Sequence, residues 1–414
     1  MLAENIKKIY LGGSELQKMY LGSTLIYPRE PVVDDYVMLG TTTGSTDFMI
    51  GSSTSTNSEP DCIKVHVVAK PDGNNEMYVK QEDVLKTPFS FRFTAGFYSD
   101  EGKKITSISK WMIDTSNVTN MGYMYYVCQS LTSVDFSNFD TSNVTSMAYM
   151  FSNCRSLNTL DLSNFNTTKV TDMSSMFSDC TSLKTLDLSN FNTTKVRSMN
   201  SMFSYCWSLT SVDLINFDTS NVTDMSYMFS NCNAITLLDL RSFDTTKVKS
   251  MCSMFSNCTS LNTFDLSNFN TSNVTDMSYM FCYCYAITLL DLRNFDTTNC
   301  RDMSSMFKYC TAITLLDLRS FDTTNCTDMS YMFIGCRNLN KLYLSKNFFN
   351  STTVTEYDFG DLDSWTDTES LAKFVEAITT HNGAGKTVKL SSNTNNALTQ
   401  TQKDAITAKG WAMP

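Results

Sequence analysis

Nine of the chain's fourteen cysteines stand at 128, 154, 180, 206, 232, 258, 284, 310 and 336, each 26 residues after the last. Thiols can ligate metal, pair as disulfides or act as nucleophiles, and each role sets its own spacing and neighbours. None of these roles calls for one thiol every 26 residues. Cys282-Tyr283-Cys284 is too tight for a zinc pair. Strands ~4.8 Å apart would bring neighbouring thiols within disulfide reach, yet nine in one column cannot all pair. Free, buried thiols acting as small hydrophobes fit the pattern better. Cys300 and Cys326 agree, since they stand where other units have Val248 and Val274; Cys252 lies off the column.

Carboxylates form a second ladder at Asp135, Asp161, Asp187, Asp213, Asp239, Asp265, Asp291 and Asp317. Each lies between two apolar residues of an alternating stretch, so its side chain is expected on the outer face. A stripe of eight carboxylates could bind a divalent cation or a cationic ligand. Because the Asp belongs to the repeat unit itself, the favoured reading is structural, with hydroxyls and loop amides donating to it. A third ladder reads Asp140, Asn166, Asn192, Asp218, Asp244, Asn270, Asp296 and Asp322, each followed by Thr and then Ser or Thr. That is turn chemistry. The sequon Asn-Val-Thr at 117, 143, 221 and 273 follows from the same consensus.

Positions that vary between units are the better ligand candidates. Tyr205 and Trp207, Tyr283 and Tyr285, and Tyr309 flank the cysteine column where other units have Asn, Asp, Thr or Arg. Arg241, Arg293 and Arg319 replace a serine such as Ser137. Aromatic side chains among polar ones suit protein- or sugar-binding surfaces, and drift in a duplicated repeat would produce the same pattern. His66 and His381 are far apart in sequence and neither neighbours a nucleophile. The chain has no G-x-S-x-G, no phosphate loop and no G-x-G-x-x-G, so no enzyme, cofactor or metal is expected. Eighteen of the 25 methionines occupy two repeat positions, from Met121 and Met124 to Met329 and Met332, as adaptable core filler.

The elements that carry these ladders follow from the period. One unit reads Leu157, Leu160, Leu162, Phe165, Val170, Met173, Met176, Phe177, Cys180, and the next repeats it 26 residues on. L-x-x-L-x-L-x-x-F resembles the leucine-rich-repeat core, whose Leu-x-Leu lies on a short parallel strand. V-x-x-M-x-x-M-F-x-x-C steps by three and four residues, which predicts a helical return. The expected fold is an α/β repeat: a right-handed solenoid of about nine 26-residue units, each a short parallel strand plus helical return. No unit can bury its apolar side alone, and stacking supplies the partner.

Four regions follow. Residues 1–28 hold a duplication, Ile6-Lys-Lys-Ile9-Tyr10-Leu11-Gly12 echoed by Leu16-Gln-Lys-Met19-Tyr20-Leu21-Gly22, read as two short strands about Gly12-Gly13-Ser14 and closed by Pro28 and Pro31. Residues 29–111 look β-rich, with strands predicted over Ile63–Ala69, Met77–Gln81 and Phe89–Phe93 and loops over Thr41–Ser58 and Lys70–Asn75; this region would cover the first unit. The repeats occupy 112–349 and decay at both ends, with Tyr125 for Phe and Tyr343 for Asp. Residues 350–414 form an α/β cap. Its helices are predicted over Ser370–Thr380 behind a Thr366-x-x-Glu369 capping box, and after Thr399-x-x-Gln402; Lys386–Leu390 is a strand. A formal net charge of −10 argues against nucleic acid. The opening residues hold no apolar run long enough for a signal peptide or a span, so export by a signal and membrane insertion are not expected.

The repeat text FDTSNVTDMSYMFSNC (217–232) resembles the BspA-like leucine-rich-repeat surface proteins over about 112–349. Membership would imply a right-handed solenoid used for adhesion or recognition without catalysis. The opening I-K-K-I-Y-L-G-G and L-Q-K-M-Y-L-G-S-T-L-I-Y-P, and the closing A-L-T-Q-T-Q-K-D-A-I-T-A-K-G-W, resemble segments of tail-associated proteins from tailed phages of gut bacteria. These resemblances imply a virion protein (tail tip, fibre or adhesin) folded in the host cytoplasm. Residues 1–28 would attach to other virion proteins, and the solenoid would bind a bacterial surface protein or glycan. A bacterial cell-surface adhesin is the alternative, and a glycan depolymerase a third.

Overall fold

The computed structural model describes residues 10–11, 14–15, 19–21, 24–27, 36–45, 47–51, 62–80, 102–108, 115–263 and 265–414. At the N-terminus, β1 (Tyr10–Leu11) pairs antiparallel with β2 (Ser14–Glu15), and β3 (Met19–Leu21) with β4 (Thr24–Tyr27). Each half of the duplicated text therefore supplies one strand that pairs with the residues following it, and the two halves are not joined in one hairpin. Gly12, Gly13, Pro28 and Pro31 lie outside the described residues.

A six-stranded sheet follows, built from β5 (Tyr36–Thr42), β6 (Phe48–Gly51), β7 (Cys62–Val68), β8 (Asn75–Lys80), β9 (Ile105–Ile108) and β10 (Ser133–Val134), in the order β10-β9-β5-β8-β7-β6. β7 and β8 stand within two residues of the strands predicted there. β6 lies inside Thr41–Ser58, where a loop is expected. The short run Phe48-Met49-Ile50 sits between turn-forming residues that hide it, and pairing with β7 makes it a strand. Phe89–Phe93 lies outside the described residues. β9 belongs to two systems: it is antiparallel to β5 on one side and parallel to β10 on the other, with Ser107 opposite Ser133. That offset is one repeat, so the 26-residue register reaches back to Ile105.

From there to residue 344, equivalent positions of successive units are bonded in parallel, but the strand expected in every unit forms in only some: Leu160, Leu238 and Leu290 lie outside any strand. β11 (Thr185–Leu186) pairs with β12 (Ser211–Val212), and β13 (Leu315–Leu318) with β14 (Lys341–Leu344). A line of single parallel bridges runs from Asn120↔Ser146 through to Asp302↔Asp328. Inside, Tyr125 and Phe151 begin a column of parallel rings 5.5–6.0 Å apart that continues through Phe177, Phe203, Phe229, Phe255, Phe281 and Phe307 to Phe333. The Met, Cys and Val columns beside it are buried as well. Burying each large side chain is worth about 1.5–3 kcal/mol as an upper estimate, and a single unit offers nothing to bury it against.

The return segments differ from the expected helix: no α-helix occurs in the described residues of 115–349. Each segment is a pair of consecutive turns closed by i→i+3 bonds, as in Met176 N–H to Met173 and Cys180 N–H to Phe177. A residue with positive φ ends each turn, Ser175 (54°) and Asp179 (60°) in that unit. The left-handed residues flatten the chain, so every second N–H points to the next unit: Ser175 to Asn200, Phe177 to Met202, Asp179 to Ser204. A helix has the same three-and-four spacing of apolar residues but keeps its amides to itself, and the stack needs them between units.

The C-terminal part contains β15 (Glu356–Phe359) parallel to β16 (Thr387–Leu390), with α1 (Thr368–Thr379), α2 (Ser392–Ala397) and α3 (Gln400–Ala408). Phe359 stacks on Phe333 at 5.4 Å, so the ring column continues beyond the last repeat, and Trp365 is fully buried beside it. α1 is capped by Asp367, not Thr366: its carboxylate accepts from Ser370 N–H, and the charge suits a helix start. α3 has the capping box predicted from Thr399 and Gln402. α2 was not foreseen, because its text, SNTNNA, is poor in apolar residues; Ser391 caps it.

Candidate functional site

The inner ladders serve the stack. Each column thiol is free, and from Cys154 to Cys336 each donates to the carbonyl three positions before its counterpart in the preceding unit, as in Cys232 Sγ to Phe203 O at 3.1 Å. Burial pushes these thiols up, to about 12 for Cys206 and Cys258. A second inner ladder does more than the turn chemistry expected of its Asp/Asn-Thr text. Thr115, Thr141, Thr167, Thr193, Thr219, Thr245, Thr271, Thr297 and Thr323 are all within 1% of full burial. Thr219 Oγ1 donates to Asp244 O at 2.8 Å and accepts from Asp244 N–H at 2.8 Å, and the same two-way clamp recurs along the column. The signal was the Thr at this position in nine successive units.

On the outer face, each Asp of the strand ladder uses Oδ1 on the backbone N–H two residues on: Ser137 to Asp135, Ser163 to Asp161, Ser189 to Asp187, Ile215 to Asp213, and Ser267 to Asp265. The remaining three, Asp239, Asp291 and Asp317, accept from the backbone of Arg241, Arg293 and Arg319 in the same way. The amide of Ser163 holds the Asp161 carboxyl below its ordinary value. The three arginines fold back on their own unit, with Nε and Nη2 on the two carboxylate oxygens at 2.6–2.9 Å. The guanidinium of Arg241 brings Asp239 to about 2, and that of Arg293 does the same for Asp291. Among the described residues, no three His, Cys, Asp or Glu converge as metal ligands. His381 bonds the Lys346 carbonyl, and the side chain of His66 lies outside those described.

The aromatic candidates fall into two groups. Tyr205 and Trp207 are 46% and 51% exposed on one unit. Three units further on, Tyr283 stacks on Tyr309 at 5.0 Å, and Tyr285 meets Tyr283 edge-on at 5.9 Å. Lys308 reaches over the Tyr309 ring. Tyr205, Tyr283 and Tyr309 all hold φ near 60°, the position that ends the second turn of each unit. In the last unit that position is Gly335, where a Cβ would collide with the Tyr309 ring. The arginines are not brought to these aromatics; Arg319 lies over Tyr343 at 5.5 Å. The geometry therefore offers exposed rings on a rigid frame, apart from a line of arginines already neutralised by aspartate.

No curated protein matches the chain. A family model matches it three times in overlapping stretches, over residues 92–212, 205–313 and 264–371, which together span more than half its length and begin before the first complete unit, where β9 sits. Repetition of the match and repetition of the fold coincide, and the chain belongs to the family described as Mycoplasma protein of unknown function, DUF285.

Proposed function

We propose that this chain is a recognition protein without catalytic activity, built as a right-handed leucine-rich-repeat solenoid, and that it binds a bacterial surface protein or glycan through side chains on the outside of the stack. The observation that carries this reading is the exposure of Tyr205, Trp207 and Tyr285, the first two on backbone bonded to the next unit. Rigid aromatic groups cost little entropy to immobilise and present large contact areas. The setting we favour is the virion of a tailed phage, with residues 1–28 as the attachment segment; the support is the resemblance of the two termini. A cell-surface adhesin is the second reading, favoured by a family description that names mycoplasma proteins.

The test is retention of the labelled full chain by a panel of gut-bacterial cells, alongside a Tyr205→Ser/Trp207→Ser variant. Retention of the native chain on particular strains, weakened in the variant, is the expected outcome. Retention on no strain would remove recognition and leave a scaffold role. Copies of the chain in purified phage particles would separate the virion from the cell surface.

A further inference from the structure

The return segments carry another aromatic column. It runs Tyr123, Tyr149, Ser175, Ser201, Tyr227, Ser253, Tyr279, Ser305 and Tyr331, one residue per unit, every one with φ between 54° and 63°. From Tyr227 onward, Tyr and Ser alternate. Tyr227, Tyr279 and Tyr331 are 43%, 42% and 54% exposed, whereas Ser253 and Ser305 between them are buried. The Tyr227 hydroxyl reaches the next unit and accepts from Cys252 Sγ at 3.6 Å, so the ring leans across the serine unit.

The fold does not require these rings. A bulky side chain is disfavoured at positive φ, and serine holds the same backbone elsewhere in the column. Their spacing is two units, about 9.6 Å at the usual distance between strands, against about 6.8 Å between same-face side chains of an extended peptide. A β-linked polysaccharide, by contrast, turns the same ring face to one side at every second sugar. Beyond Tyr331 the column ends in a groove lined by Asp328, Ser330, Thr355, Glu356 and Asp358. Asp328 and Asp358 each accept one backbone N–H, and Glu356 holds Lys389 through one oxygen. Three carboxylates suit sugar hydroxyls as donors and repel an anionic polymer. Lys308 lies 5.5 Å over Tyr331 and 5.9 Å over Tyr309, joining the column to the Tyr283–Tyr309 stack.

We infer that Tyr227, Tyr279 and Tyr331 form a platform for an extended neutral β-linked polysaccharide, with alternate sugars stacked on successive rings and one end of the chain in the groove. This rests on the recognition reading and names its ligand class. The experiment compares the full chain with a Tyr227→Ser/Tyr279→Ser/Tyr331→Ser variant and with Tyr279→Phe. Serine already occupies the same backbone at 253 and 305, so the triple variant should melt with the native chain. The probes are bacterial cells treated with periodate or protease, and neutral β-1,4-linked hexasaccharides of glucose and of N-acetylglucosamine, titrated calorimetrically. Cell binding should survive protease; periodate, which cleaves vicinal diols, should abolish it where the bound polymer is of the glucose type, and a β-1,4-linked N-acetylglucosamine polymer, which lacks them, should be recognised by competition with its hexasaccharide. The triple variant should bind cells and hexasaccharide at least about tenfold more weakly, while Tyr279→Phe keeps native affinity. Native-like binding by the triple variant, or loss of binding after protease, overturns the platform and leaves recognition standing. If the native chain binds no cells, the recognition reading fails by itself. The platform is then decided by the titration, and failure to bind either hexasaccharide overturns it.

Discussion

Thr219→Val tests the account of what joins one unit to the next. The substitution keeps the shape of a side chain that is fully buried and removes only its hydroxyl. That hydroxyl donates to Asp244 O and accepts from Asp244 N–H, each at 2.8 Å. Two hydrogen bonds at a net ~1 kcal/mol each set a lower figure of about 2 kcal/mol. Leaving the amide and carbonyl of Asp244 without partners raises it toward about 4 kcal/mol, and Asp244 is only half-buried, so water recovers part of that. Thr223→Val is the control: Thr223 Oγ1 donates once, to Arg197 O at 3.2 Å, from an exposed side chain. The assay is denaturant unfolding of both variants, with hydrogen exchange at the Asp244 amide. The expected result is a loss of about 2–4 kcal/mol for Thr219→Val, under about 1 kcal/mol for the control, and faster exchange at residue 244 only in the first. Equal midpoints for the two variants would refute the clamp and return the Thr column to ordinary turn chemistry.

The column thiols should resist alkylation in the native chain, with the half-buried Cys252 labelled before any of them; mass spectrometry before and after denaturation reads this directly. Their raised pKa values make stability depend on pH in one direction. The unfolded thiols ionise around 9.0 and the folded ones near 12 for Cys206 and Cys258, so the melting temperature should hold below pH 9 and fall as pH rises toward 12. A melting temperature flat to pH 11 would contradict the burial. Gly335→Ala should cost about 2–4 kcal/mol, combining a non-glycine residue at positive φ with collision against Tyr309, and should alter the near-ultraviolet dichroism of the Tyr283–Tyr309 stack. Gly73→Ala has the same φ but open space, so it should cost only about 1–2 kcal/mol and leave the dichroism unchanged.

Much of this molecule is written in one dimension because its repeat is local and exact in length. The period of 26, the inward columns of Leu, Val, Met, Phe and Cys, and the outward Asp of each unit can all be read from residue type and spacing, since every unit meets the same neighbours. The capping box at Thr399 was legible for a similar reason: its partners lie three residues apart. Other features depend on contacts between units, which spacing alone does not specify. A stripe at three and four residues suits a helix and a pair of left-handed turns equally well, and the amides' need for partners in the next unit selects the turns. Whether Arg241 points to a ligand or to Asp239 was decided by the carboxylate two residues before it. The Tyr and Ser alternation was present in the text all along, but its meaning came from the third dimension. Only stacking brings residues 227, 279 and 331 into one line, with serines buried between them and the rings left to solvent.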